Sequence, residues 1–213
     1  MNYPHLVYFA DPMCSWCWGF SPVINVIRAT FGEHLPIRLV LGGLRPGTTK
    51  PMDEAAKAST RGHWEHVQAA SGQAFDYKFF DRPTFIYNTE SACRAVVLAR
   101  RRSMETALDM LTAVQQAFYA KNQDVTQPAI LAGIAEELGF SSPEFLASFG
   151  QADLIAETQQ DFNISQQTGV TGFPTLIAGT GNEANFTLVT QGFQTHERIL
   201  PALKTWAAQH EII

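Results

Sequence analysis

The chain contains 213 residues, of which 46% are hydrophobic and 11% aromatic, enough apolar material for one large domain or one domain with a substantial insertion. Its formal net charge of −5 gives no general attraction to nucleic acids or anionic membranes, so we expect neither as a partner. Because no apolar run reaches the ~20 residues that span a bilayer and no signal-peptide pattern precedes the first predicted strand, we expect a cytoplasmic location.

A strand, a helix and a second strand open the chain. Leu6–Ala10 is a nearly continuous apolar run, which is typical of a buried strand. Apolar residues then recur at helical spacing as far as Phe31, and Pro22 lies inside this pattern, where we expect a kink or a restart of the helix. A second apolar run, Ile37–Leu41, predicts the next strand. This order indicates a parallel βαβ unit.

Helical periodicity dominates the middle of the chain. The pattern predicts six helices: Met52–Ala70, Thr89–Arg102, Met104–Lys121, Pro128–Leu138, Pro143–Phe149 and Ala152–Gln167. An aromatic, irregular stretch, Phe75–Tyr87, follows the first of these helices. The sequence therefore predicts an inserted helical domain over residues 49–168. Residues 1–48 and 169–213 would form the two parts of a discontinuous α/β domain.

Strand character returns after the predicted insertion. We predict strands at Thr175–Ala178 and Phe186–Thr190, with a Gly-Thr-Gly-Asn turn at 179–182 between them. A closing helix is predicted from Thr195 to about Gln209, with a stripe of apolar residues on one side. The predicted order is thus βαβ, a long helical insertion, and ββα.

Two cysteines three positions apart, Cys14 and Cys17, stand where the first strand passes into the first helix. At a helix N-terminus, a Cys14 thiolate would face unpaired N–H groups and the positive end of the helix dipole, which both stabilise the anion. A zinc site needs four ligands, and no second pair at suitable spacing accompanies these two, so we predict no metal. We interpret the pair as a thiol–disulfide site, with a structural role as the alternative. The third cysteine, Cys93, is interpreted as a buried apolar residue, with a regulatory thiol as the alternative.

A second motif, Gly169–Thr175, carries the dipeptide Phe173-Pro174 at the start of a predicted strand. Bonds that precede proline are where cis peptides occur in proteins. A cis bond here would turn the Phe173 backbone toward a neighbouring site, where its polar groups would be available to an extended peptide or a thiol substrate. Considered alone, this motif favours a trans proline that opens a strand.

Together, Cys14-Ser15-Trp16-Cys17 after the first strand and Gly-Val-Thr-Gly-Phe-Pro-Thr before a later one resemble the thioredoxin superfamily. The helical insertion is similar to that of the DsbA-like branch, with its FrnE-type and 2-hydroxychromene-2-carboxylate isomerase relatives. The resemblance implies a thioredoxin fold of the α/β class, with a large all-helical insertion. It also implies that Cys14 is the nucleophile, that Cys17 is the resolving thiol, and that substrate contacts come from the following positions: Ser15, Trp16, Phe173 and Pro174.

The chain departs from the family pattern in its linker and its first strand. Ser15-Trp16 replaces the Pro-His of periplasmic oxidases and the Gly-Pro of thioredoxins. Because Trp16 brings no positive charge to a Cys14 thiolate, we expect a less oxidising disulfide than that of the strongest oxidases. Tyr8, six residues before Cys14, is not an acid that could accept a proton. The nearest carboxylate, Asp11, is interpreted as a loop or cap residue rather than a proton-transfer group.

The main hypothesis is a thiol–disulfide oxidoreductase or isomerase that acts on protein or small-molecule thiols and disulfides. It would hold no bound cofactor and would use glutathione as a redox partner. The second hypothesis is a glutathione-dependent isomerase or transferase of small aromatic substrates, suggested by a group of aromatic residues: Trp16, Trp18, Phe75, Phe79, Phe80 and Phe85. The third is a chaperone-like module with an apolar groove. The direction of electron flow and the oligomeric state stay open.

Overall fold

A four-stranded mixed sheet forms the centre of the molecule, whose computed structural model describes residues 3–181 and 186–212. The strands lie in the order β2-β1-β3-β4, with these bounds: β1 His5–Ala10, β2 Ile37–Leu41, β3 Thr175–Gly179 and β4 Phe186–Gln191. β1 pairs parallel with β2 and antiparallel with β3, which in turn pairs antiparallel with β4. The predicted turn at 179–182 extends into residue 182, which lies outside the described residues.

Eight α-helices surround this sheet within the part of the chain that the structure describes. One joins β1 to β2, six lie between β2 and β3, and one follows β4: α1 Ser15–Phe31, α2 Glu54–Ser71, α3 Glu90–Arg100, α4 Met104–Tyr119, α5 Pro128–Glu137, α6 Ser142–Phe149, α7 Ala152–Gln167 and α8 His196–Gln209. The predicted order of βαβ, helical insertion and ββα is therefore confirmed. Across residues 3–181 and 186–212, no helix is both long and apolar enough to cross a bilayer.

The first helix, α1, runs through Pro22 without a break, so the predicted restart there is wrong. Proline has no N–H group, which leaves the carbonyl four residues earlier, that of Trp18, without its helical donor. The side chain of Gln73 supplies a replacement, because its Nε2 donates to the Trp18 carbonyl oxygen at 3.1 Å. A side chain from a distant segment thus provides the hydrogen bond that the helix backbone cannot supply to the Trp18 carbonyl oxygen.

The apolar core is continuous from the sheet into the inserted helices. Every residue of β1 is buried, as expected for a central strand covered on both faces. The larger hydrophobic cluster joins β1 and α1 to α3 and α4, while a smaller one lies on the other face and contains Val7, Phe9 and Val40. The ring of Phe173 packs against both clusters. It also occupies the space beside Gly42, directly after β2, where a Cβ atom would overlap the ring.

A buried ion pair ties the insertion to the end of β2. Arg100, the last residue of α3, donates to Asp161 on α7 at 2.6 Å. The same carboxylate oxygen of Asp161 accepts the backbone N–H of Leu41 at 2.9 Å. Arg100 also donates to the carbonyl oxygen of Leu39 at 3.2 Å. The strand end that leads into the loop at Gly42 is therefore held by two helices of the insertion.

Candidate active site

Cys14 is the residue that precedes α1, and its backbone is extended, with φ −93° and ψ 117°. Its N–H donates to the carbonyl oxygen of Asp11 at 3.0 Å, and its own carbonyl oxygen accepts from the N–H of Trp18 at 3.1 Å. The side chain is 6% exposed and lines an open cavity. The thiol therefore lies at the N-terminus of a helix of 17 residues, where the helix dipole favours a negative charge.

The loop before β3 meets this helix terminus. The thiol of Cys14 donates to the carbonyl oxygen of Phe173 over a distance of 3.6 Å, and the Phe173–Pro174 peptide bond is cis. The strand register explains the contact, because Phe9 near the end of β1 is paired with Thr175 at the start of β3. The structure thus brings together the two motifs that the helical insertion separates in the sequence.

Cys17 lies one helical turn below Cys14 and has no solvent exposure. Both cysteines are free thiols in this structure. Burial, followed by the interaction with Cys14, raises the pKa of the Cys17 thiol well above its usual value. The hydroxyl of Tyr8 lies in the same buried region, and burial together with the charges of Cys17 and Cys14 raises its pKa. Cys17 and Tyr8 therefore stay protonated at neutral pH. Of these three residues, Cys14 is the one that lines the cavity.

Asp11 is fully buried beneath the site and joins three segments. Its Oδ1 atom accepts from the N–H of Met13 at 2.8 Å, while Oδ2 accepts from the N–H of Leu44 at 2.7 Å and from the thiol of Cys93 at 3.4 Å. Burial raises the pKa of Asp11, and the two backbone N–H groups oppose this effect. These contacts fix the loop before Cys14 to the segment after β2 and to α3, so Asp11 has the loop role that the sequence suggests. Cys93 is fully buried as the sequence predicts. Its hydrogen bond to Asp11 cannot be inferred from the sequence pattern.

Tyr87 is a site residue that the sequence did not reveal. Its hydroxyl donates to the carbonyl oxygen of Met13 at 2.6 Å and lies 3.4 Å from the hydroxyl of Tyr119. Burial raises the pKa of Tyr87 above its ordinary value. Because it stands in an irregular segment, no periodic pattern or motif marks it. It supports the backbone that immediately precedes Cys14.

The cavity beside Cys14 has a volume of about 230 Å³. Four of the predicted site residues line it: Cys14, Ser15, Trp16 and Phe173. The structure adds seven more, among them Arg45, His63 and Tyr87. Cys17 and Pro174 lie outside the lining. A larger groove of about 660 Å³ runs along α7 and β2 and shares no residue with this cavity.

The aromatic residues behind the isomerase hypothesis form part of the core. Trp64 on α2 lies at their centre, with ring-centroid distances of 5.2 Å to Phe75, 5.0 Å to Phe79 and 4.9 Å to Phe80. Of the six aromatic residues named from the sequence, only Trp16 lines the cavity. Its ring lies 5.7 Å from that of Phe193. The aromatic group therefore stabilises the insertion, and of its members Trp16 and Trp64 also line the cavity.

The described part of the chain contains no group of three or more His, Cys, Asp or Glu side chains placed to hold a metal ion. His63 lines the cavity, but His66, three positions on, does not. The two histidines and the cysteine pair therefore do not form a ligand set in this structure.

The chain matches the family model described as thioredoxin over residues 8–200. A candidate protein disulfide isomerase from Nitrosomonas europaea is 37% identical, with a TM-score of 0.89 over 98% of this chain and 99% of that one. The cytosolic disulfide reductase DsbM from Pseudomonas aeruginosa is 22% identical, with a TM-score of 0.78 over 96% and 99% of the two chains.

A curated relative, the ClpXP adapter protein SpxH from Bacillus subtilis, is 22% identical over 82% of this chain and 63% of its own length. This chain thus spans less than two thirds of the length of the first curated relatives that it matches. The predicted thioredoxin fold with an inserted set of helices is confirmed by the family match and the solved structures. The chain belongs to the thioredoxin family, with the helical insertion of its DsbA-like members.

Proposed function

We propose that this protein is a thiol–disulfide oxidoreductase that exchanges disulfides through Cys14 and Cys17. The observation that carries the proposal is the position of the Cys14 sulfur, at a helix N-terminus, on a cavity and 3.6 Å from the carbonyl oxygen of Phe173. A helix N-terminus stabilises the thiolate, which is the reactive form of cysteine. Cys17, one turn below, provides the second thiol.

In the first step, the Cys14 thiolate attacks one sulfur of a substrate disulfide. The bond between the two substrate sulfurs breaks, one half leaves as a thiolate that takes a proton from solvent, and Cys14 becomes joined to the other half. This mixed disulfide removes the negative charge of Cys14, which is one of the causes that raise the pKa of Cys17. Its formation therefore makes Cys17 easier to deprotonate at the moment when it is needed.

In the second step, Cys17 loses its proton and attacks the sulfur of Cys14. The remaining half of the substrate leaves as a thiolate and is protonated in turn. The enzyme now carries a Cys14–Cys17 disulfide, and two electrons have passed from the cysteine pair to the substrate. An external thiol restores the reduced pair by the same two steps in reverse, and we propose glutathione for this role. The relative DsbM, which has been solved with GSH, supports this choice.

We further propose that the Phe173-Pro174 loop holds the substrate backbone while Ser15 and Trp16 contact the groups beside the reacting sulfur. Three of these four residues line the cavity next to Cys14, which supports the assignment. We propose a cytoplasmic location in line with the cytosolic reductase that this chain resembles. The isomerase hypothesis has less support, because most of the aromatic residues that motivated it are buried in the core.

The test is the glutathione-dependent reduction of a disulfide-linked peptide by the wild type and three variants. Cys14→Ser should lower the rate to the uncatalysed background. Cys17→Ser should accumulate a mixed disulfide with Cys14, visible by mass spectrometry of the intact protein. Cys93→Ser is the matched control, since Cys93 is buried as Cys17 is but lies outside the pair, and it should retain the rate. Full activity of Cys14→Ser would refute the proposal.

A further inference from the structure

Arg45 stands at the cavity beside Cys14 with an exposed side chain. Its guanidinium carbon lies 4.9 Å from the centre of the Tyr87 ring. The hydroxyl of the same ring donates to the carbonyl oxygen of Met13, the residue before Cys14. The positive charge therefore packs on the ring that supports the backbone before the reacting cysteine. Among residues 3–181 and 186–212, Arg45 takes part in no ion pair.

The cavity is basic although the protein as a whole is acidic. The chain carries a formal net charge of −5, yet the residues that line this cavity include Arg45 and His63 and neither aspartate nor glutamate. The nearby Asp11 is fully buried, and its carboxylate already accepts from Met13, Leu44 and Cys93. Clefts lined by charge of one sign raise the local concentration of ligands of the opposite sign. An anionic ligand is thus favoured here over a cationic one.

The volume of the cavity limits the size of that ligand. At about 230 Å³ it is smaller than the ~300–1,000 Å³ pockets that hold drug-sized molecules. It suits a thiol, or one half of a disulfide, of amino-acid to short-peptide size. Guanidinium groups bind carboxylates through two parallel N–H···O hydrogen bonds, and the Arg45 guanidinium, which has no ionic partner within the described chain, is free to form them.

We propose that Arg45, assisted by His63 from α2, binds a carboxylate of a small anionic thiol or disulfide and thereby makes this class the preferred substrate. The inference rests on the proposed function, which it deepens by naming the substrate class. In the reaction, Arg45 holds the carboxylate while the Cys14 thiolate attacks the adjacent disulfide sulfur. The S–S bond of the substrate breaks, Cys14 becomes joined to one half, and the other half leaves as a thiolate that takes a proton from solvent. Arg45 determines specificity and takes no part in electron transfer.

The experiment compares two disulfides that differ in charge, oxidised glutathione and the uncharged bis(2-hydroxyethyl) disulfide. The reduced protein is mixed with an excess of each, and the second-order rate constant is followed by tryptophan fluorescence. Arg45→Gln should lower the rate constant for oxidised glutathione about tenfold, the factor that corresponds to 1.4 kcal/mol. It should change the rate constant for the uncharged disulfide less than twofold. Arg45→Lys should recover part of the loss because it keeps the charge.

Arg61→Gln is the matched control. Arg61 lies on α2 near His63, but its guanidinium lies over the rings of Tyr77 and Phe80, and it does not line the cavity. This variant should keep both rate constants. Sodium chloride should slow the reaction of the wild type with oxidised glutathione but not that of Arg45→Gln, because salt screens exposed charges.

Two results would overturn the inference while leaving the proposed function intact. One is an unchanged rate constant of Arg45→Gln with oxidised glutathione, and the other is an equal loss with both disulfides, which would indicate a structural role. A wild-type protein that reacts with neither disulfide would instead refute the proposed function itself, and the substrate preference with it.

Discussion

The sulfur of Cys14 lies 3.6 Å from the carbonyl oxygen of Phe173, although 159 positions separate the two residues. The contact exists because β1 and β3 are antiparallel neighbours, so that the segment that follows β1 meets the segment that precedes β3. The site therefore depends on the sheet and on the helices that hold it, not on a single loop.

Replacing Asp11 by alanine should lower the free energy of unfolding by about 2–4 kcal/mol, because the buried N–H of Met13 and the partly buried N–H of Leu44 lose their acceptor. Asp11→Asn should not restore stability, since its amide group would place a donor against one of these donors. Urea denaturation of the reduced protein measures both effects. Asp53→Ala, which removes an exposed N-cap that accepts from the N–H of Ala56, should cost only about 1 kcal/mol. Equal losses at the two positions would contradict the prediction.

The reduced protein should lose stability as the pH rises above the ordinary thiol pKa of about 8.5. Burial raises the pKa of Cys17 and Cys93 in the folded state, so the folded chain keeps protons that the unfolded chain releases. Their contribution is complete below pH 8.5 and declines toward the raised values, by up to about 1.4 kcal/mol per pH unit for each thiol.

Urea denaturation between pH 7 and pH 9.5 with a reductant present tests this decline. Cys93→Ala removes one of the two buried thiols, so its stability should fall less steeply with pH than that of the wild type. Identical slopes would show that Cys93 does not contribute.

Arg100→Leu should destabilise the fold by about 3–5 kcal/mol, because it leaves the buried carboxylate of Asp161 without its counter-ion. Arg101→Leu is the control. This neighbouring arginine pairs with Asp153 and Glu157 nearer the surface, and its loss should cost less than about 1 kcal/mol. Thermal or urea unfolding of both variants gives the comparison. A loss in Arg100→Leu no larger than that in Arg101→Leu would refute the role of the buried pair.

Trp16→His should make the cysteine pair more oxidising. A protonated histidine between the cysteines stabilises the Cys14 thiolate and hence the reduced form. Equilibration with glutathione buffers should show an upward shift on the order of 30 mV, starting from a wild-type potential below about −120 mV. Trp16→Phe, which keeps an apolar ring, should remain at the wild-type value. If Trp16→His and Trp16→Phe share one potential, linker charge does not control the equilibrium.

The strands and helices could be predicted from the sequence because their signals are local. Ile37–Leu41 and Ala152–Gln167 have the predicted bounds, and most other elements differ by one or two residues at an end. The predicted restart of α1 at Pro22 is wrong because a contact that is distant in the sequence stabilises the continuous helix. The donor that satisfies the Trp18 carbonyl comes from Gln73, which lies 55 positions away.

The candidate site was only partly accessible from the sequence. Cys14 can be recognised from its spacing to Cys17 and its position before a predicted helix. Arg45 and Tyr87 lie in irregular segments that carry no motif. Arg45 reaches the cavity through its packing on the Tyr87 ring, and Tyr87 reaches it through a hydrogen bond to Met13, 74 positions earlier. Such positions are set by tertiary packing, which periodicity does not encode.

The packing of the Phe173 ring against Gly42 couples two positions from distant parts of the chain. A side chain at position 42 would need the space that the ring fills, while loss of the ring would open a gap beside the reacting cysteine. A substitution of Gly42 or of Phe173 therefore requires a compensating change at the other position. Across homologous chains, glycine after the second strand should accompany phenylalanine before the proline, and substitutions at the two positions should be inherited together.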